Sequence, residues 1–104
     1  MLSASYRLSE QSIIKLSSNV FKRFEHNIGS GKLFLYDFVD DKAWVGNSSA
    51  NDLLNKIDGK KSLKNVYEEL FRDFEDYDYL KLKESFDAII LNLLENRFLV
   101  IVNE

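Results

Sequence analysis

The residues best suited to chemistry are few: His26, the run Gly29-Ser30-Gly31-Lys32, the carboxylate pairs Asp40-Asp41 and Glu68-Glu69, and Ser48-Ser49. A phosphate-binding loop needs four residues between its glycines, a Ser or Thr after its Lys, and a helix behind it. Here one serine separates the glycines and Leu33 opens an apolar run, so the segment reads as a hairpin turn. His26 is the single histidine and the chain has no cysteine, so no second soft ligand is at hand for a transition metal. The absence of thiols also excludes disulfides, cysteine nucleophiles and redox switching. Both carboxylate pairs are adjacent in sequence, on a solvated helix face or in a turn, without the apolar surroundings that raise a carboxylate pKa for acid/base work. Ser48 and Ser49 stand where a helix starts, a capping position rather than a nucleophile's. The pattern is that of a non-enzyme with no metal and no cofactor.

With chemistry set aside, the elements themselves become the subject. The chain has 104 residues, 45% hydrophobic and 30% charged, enough for one core and one domain. No stretch approaches a membrane span, and the opening MLSASYRLSEQ lacks the basic start and apolar run of a secretory signal, so cytoplasm is the expected compartment. Net charge is −3, with Glu68, Glu69, Asp73, Glu75, Asp76 and Asp78 crowded together. A nucleic-acid binder draws much of its affinity from phosphate neutralisation, and this balance points away from it.

Residues 1–18 are polar and Ser-rich except for IIKL at Ile13–Leu16, and read as an arm, weakly ordered or holding one short strand. The domain proper is expected over residues 19–104. VFKRFE, LFLYDFV and AWV, separated by GSGK and DDK, predict a three-stranded meander. Its middle run is the most continuously apolar, which puts the strand around Trp44 on an edge. After Gly46 the apolar period changes from two to 3.6. Ala50, Leu53, Leu54 and Ile57 mark a short helix, with Ser49 as N-cap, Asp52 in capping-box position and Gly59 at the left-handed C-terminal position. Ser62 caps a second helix whose stripe is Leu63, Val66, Leu70, Phe71 and Phe74. EDYD then interrupts the pattern. A third helix spans Tyr79–Glu95, closed by Asn96, and Phe98–Val102 returns as a short strand or wing. The fold class is α+β, a winged helix-turn-helix with a three-stranded antiparallel sheet followed by three helices.

The third helix is too apolar, in FDAIILNLL, to lie in a DNA groove, and Glu84, Asp87 and Glu95 offset its Lys81, Lys83 and the following Arg97. Its stripe is either core or, in part, the wall of a groove beside the edge strand. An unpaired edge is a template for an incoming strand, and Gly46 beside Trp44 and Val45 allows close backbone approach. Three apolar side chains buried there would contribute on the order of 5–9 kcal/mol against an ordering cost of roughly 2–5 kcal/mol, and with strand pairing added, affinity near micromolar is expected.

Between Val20 and Val102 the chain resembles the PqqD-like family, the RiPP recognition elements. The resemblance rests on three strands, then Ala50, Leu53, Leu54, Ile57, Asp58, Gly59, Ser62, Leu63, Val66 and Leu70 in the pattern A..LL..IDG..S(L/V)..(I/V)...L, then the helix ending before Arg97-Phe98-Leu99. Gly46-Asn47 departs from the Leu-Asn or Leu-Asp common in the family, and the arm before Val20 has no counterpart. The resemblance implies a non-catalytic peptide chaperone that binds the leader of a ribosomally made precursor and presents it to a modifying enzyme, often a radical-SAM maturase. It also implies a leader strand lying between the third strand and the third helix. On this chain those elements carry Ala43, Trp44, Val45 and Gly46, and Leu82, Phe86, Ile89, Ile90 and Leu93. The competing readings are a winged-helix DNA-binding regulator and a structural module that forms a homodimer. A chain running from Met1 to Glu104 suits a free-standing protein rather than a domain of a larger maturase.

Overall fold

The computed structural model describes residues 8–74 and 78–103. The interruption expected at EDYD falls mostly on residues 75–77, and the start of the arm on residues 1–7, both outside the described residues. Eight elements follow in order: β1 (Ile14–Leu16), β2 (Val20–Glu25), β3 (Lys32–Asp37), β4 (Lys42–Asn47), α1 (Ser48–Lys56), α2 (Leu63–Arg72), α3 (Tyr79–Glu95) and β5 (Leu99–Ile101). The fold is α+β, with β2-β3-β4 as an antiparallel three-stranded meander and β1-β5 as a separate antiparallel pair.

The turns of the meander follow from their side chains. In the β2–β3 turn Gly29 and Gly31 have positive φ, and a Cβ on Gly31 would lie 2.4 Å from Phe24 Cζ. GSGK is therefore a hairpin turn, and His26 is exposed in it with its ring edge-on to Phe24. In the β3–β4 turn the buried Asp37 carboxylate accepts from the amides of Val39 and Asp40, both at 2.9 Å, folding the chain back on itself. β3 is central, and its Leu33 and Leu35 point into the core at full burial. β4 is an edge strand, as its position in the sequence predicts.

The helices cover the inner face of the sheet. Asn47, not Ser49, caps α1: its Oδ1 accepts from the Ala50 amide at 3.0 Å, and Ser48 and Ser49 are already helical. α1 stops at Lys56, and Ile57 leaves it in an extended conformation, so Gly59 is not the residue immediately past the cap. Gly59 has φ +76° and serves the α1–α2 turn, where Asp58 Oδ1 accepts from the amides of Lys60 and Lys61. Those bonds hold the exposed Asp58 carboxyl below its usual pKa. Ser62 caps α2 by accepting from Asn65, as expected from the sequence. Asp78 caps α3, which ends in paired bonds from Arg97 to Leu94 and from Phe98 to Leu93, with Arg97 left-handed at φ +66°.

One core joins all of this. Leu33, Leu35, Leu53, Leu70, Phe86, Ile90, Leu93, Leu94 and Leu99 are almost wholly buried within it. Beside it, Phe71 stacks with Tyr67 at 5.2 Å and packs edge-on to Tyr79 at 4.7 Å between ring centroids. β1 belongs to the same body: Ile14 is 3% exposed and pairs with Ile101. Its neighbours tie the α1–α2 turn down, with Gly59 donating to Ile14, Leu63 to Ser12 and Lys64 to Glu10. No helix among the described residues is long and apolar enough to cross a membrane.

Candidate functional site

The edge of β4 and the adjoining flank of α3 meet at one side chain. Along β4 the side chains alternate, Lys42, Trp44 and Gly46 toward the helices and Ala43, Val45 and Asn47 outward. Trp44 is half-buried, and its Nε1 donates to Asn92 Oδ1 on α3 at 2.9 Å. The indole lies back over Gly46, where a Cβ would stand 2.5 Å from Trp44 Cζ3 and 3.0 Å from Ala50 Cβ. The missing side chain of Gly46 thus makes room for Trp44, a different use from the close approach of a ligand backbone expected of it.

Helical geometry sorts the residues of α3. At 100° per residue, Ser85, Ile89 and Leu82 lie within one quadrant of Asn92, on the side that Trp44 touches. Leu82 and Ile89 are half-buried and Ser85 and Asn92 exposed, so this flank is accessible. Phe86, Ile90 and Leu93 are not groove residues. They are 1%, 0% and 0% exposed and form the centre of the core, where a ligand could reach them only by opening the fold. Ala43 and Val45 are exposed, but on the outer face of the sheet, away from α3. The structure therefore brings Trp44 and Gly46 together beside Asn92, with Ile89 one turn away on the same flank. Ser85 and Leu82 share that flank further along, Leu82 about 15 Å from Asn92. The β4 main-chain edge is unpaired among the described residues.

Asn92 was invisible from sequence because a polar residue at that position of an apolar helix reads as solvent-facing. Its signal is the spacing: it sits one turn beyond Ile89 and two beyond Ser85, on the border of the stripe. Lys42, at the start of β4, sits over the Phe98 ring with Nζ 5.4 Å from the centroid, fastening that end of the strand to the chain entering β5. On the far side of α3, Asp87 accepts from Tyr67 Oη at 2.5 Å and from Lys83 Nζ at 2.9 Å. Burial, then the bond to Asp87, pushes the Tyr67 hydroxyl far above its ordinary pKa, so it serves as a donor and not as a base. The Tyr67–Asp87 bond fastens α2 to α3 on the side of α3 away from Asn92.

Sequence reading also missed a second surface. The outer face of the sheet carries Phe21, Phe34, Tyr36 and Val45, and the first three, with Ile28, Arg23 and Glu25, border a shallow depression of about 560 Å³. The sign was present in VFKRFE and LFLYDF, where apolar residues occupy both parities of a strand instead of one. Among the described residues no group of three or more His, Asp or Glu is gathered in a way that could hold a metal ion. No protein-family model, curated protein or solved structure matches the chain.

Proposed function

We propose that the protein is a non-catalytic peptide receptor, a winged helix-turn-helix module with the β1–β5 pair as its wing. In this reading the leader of a ribosomally made precursor peptide adds as a strand to the edge of β4, and a modifying enzyme, a radical-SAM maturase by the family resemblance, acts on the peptide so held. The observation that carries it is the pairing of an open strand edge with an apolar flank one side chain away. Backbone hydrogen bonds to β4 would supply affinity without sequence preference, and alternate side chains falling on Trp44, Ile89 and Leu82 would supply selectivity. A bound strand replaces water on an edge that otherwise invites aggregation, which makes the edge a functional asset once occupied. The surface of α3 argues against the DNA-binding alternative, since Lys81 and Lys83 share it with Glu84, Asp87 and Glu95.

The test uses Trp44, the one tryptophan of the chain. Its fluorescence is titrated with the leader segment of a short peptide encoded beside this protein's gene, and calorimetry provides a label-free check. A saturable change near micromolar, weakened at least tenfold by Ile89→Glu, is the expected result. Heat-silent and fluorescence-silent mixing at about 1 mM peptide, roughly a thousandfold above the expected micromolar Kd, would sink the pairing.

A further inference from the structure

The three-stranded sheet carries large apolar side chains on both faces, and only one face is covered; on the outer face they sit beside the polar Arg23, Glu25, Lys32 and Asn47. Antiparallel sheets with a single packed face alternate apolar and polar residues, whereas a sheet apolar on both sides belongs between two layers. The inner layer is α1, α2 and α3. On the outer face Phe21 is 62% exposed, Val45 52%, Ile28 45% and Tyr36 41%, with the half-buried Phe34 at their centre. We infer that this face is the contact between two copies of the chain, packed sheet on sheet in a symmetric dimer.

Area, charge and shape favour a second copy as the occupant. At about 150–250 Å² for a large side chain, these exposures leave on the order of 400 Å² of apolar surface. A standard interface takes about 800 Å² from each partner, roughly 60% of it apolar, so the patch and its polar rim match what a stable dimer needs. The rim is close to neutral. Arg23 is paired with Glu25, and Lys32 lies opposite Glu25 in the β2–β3 register. A strongly charged partner would find no complementary field here, and a second copy meets little repulsion.

The cross-strand register adds a steric match. Phe21, Tyr36 and Ala43 form one row across the outer face, and Arg23, Phe34 and Val45 the next. A two-fold axis running along β3 sets each Phe21 over the partner's Ala43, a large side chain over a small one, and brings the two Phe34 rings together at the centre. The same axis sets Arg23 over the partner's Val45 and brings the two Tyr36 together beside the Phe34 pair, each Tyr36 hydroxyl donating to Asp41 of its own copy at 2.6 Å. The β4 edge and the α3 flank stay open in this arrangement, so the dimer stands or falls independently of peptide binding.

Sedimentation equilibrium of the full chain from about 1 μM to about 1 mM tests for the dimer, and a two-copy mass already at the lowest concentration also supports it, since interfaces of this size reach affinities well below micromolar. The expected mass rises from one copy to two, and Phe34→Lys and Phe21→Lys each return it to one copy at every concentration. Far-UV circular dichroism verifies that both variants are folded, and Phe21 is exposed enough that its replacement does not touch the core. Unchanged Trp44 titration in Phe21→Lys would separate this face from the peptide site. A one-copy mass throughout overturns the inference. A dimer that survives both substitutions also overturns it, because the contact then lies elsewhere.

Discussion

Tyr67 shows how a residue can combine core packing with a polar fastening. Its ring stacks on Phe71, while its hydroxyl reaches Asp87, which also holds Lys83. Sequence periodicity marked Val66 and Leu70 beside it but passed over Tyr67, because a tyrosine on the border of an apolar stripe gives no sign of whether its hydroxyl finds a buried partner. Tyr67→Phe is expected to cost about 1.5–3 kcal/mol in denaturant unfolding, the range for a hydrogen bond to a charged group. The folded-state pKa of Tyr67 is raised, so its contribution is complete below the ordinary value of 10.0 and is lost as pH rises through the folded value. The stability gap between wild type and Tyr67→Phe should therefore be flat at neutral pH and narrow above pH 10.0. A gap that widened with rising pH would contradict the assignment of the proton to Tyr67.

At the scale of elements, the boundaries of α3 and the Ser62 cap of α2 were legible because each has a single strong signal. The start of α1 was not: Asn47, Ser48 and Ser49 are all good caps, and only the reach of Asn47 Oδ1 to Ala50 decides among them. The end of α3 holds a device that composition conceals. Arg97 takes the left-handed position of the terminal motif, where glycine is the usual residue. A side chain there costs roughly 1–2 kcal/mol, partly offset by the lower entropy of a non-glycine residue in the unfolded chain. Arg97→Gly should accordingly raise the thermal midpoint by a few degrees, through a gain of up to about 1 kcal/mol. A lowered midpoint would mean that the Arg97 side chain makes a stabilising contact. The groove was legible only in outline, because an apolar stripe fixes which side of a helix is buried but not how far its flank is covered. That difference separates Leu82 and Ile89, half-buried, from Phe86, Ile90 and Leu93 in the core.

For the whole molecule, the long-range joins were the hardest to read. The meander is local, and its turns announced it. The pairing of β1 with β5 links Ile14 to Ile101 across nearly the full chain, and two three-residue strands carry no signal for their partner. Its consequence is that residues from Ser9 onward are stitched into the domain: Ser12, Ile13 and Ile14 hold the α1–α2 turn and the C-terminal segment through main-chain bonds. Ile14→Ala should cost about 2–5 kcal/mol, as for other buried aliphatic truncations, and a loss under 1 kcal/mol would show β1 to be dispensable.

The central claim, a peptide strand seated between the edge of β4 and the flank of α3, is tested most directly by amide resonance mapping. The leader segment is titrated into isotopically labelled protein, and the shifts are followed residue by residue. The account predicts the largest changes at Lys42–Asn47 and at Ser85, Ile89 and Asn92, together with new protection of β4 amides from hydrogen exchange and movement of the Trp44 indole resonance. Shifts centred on Phe21, Phe34 and Tyr36, with β4 amides still exchanging freely, would contradict it and place peptide recognition on the outer face of the sheet.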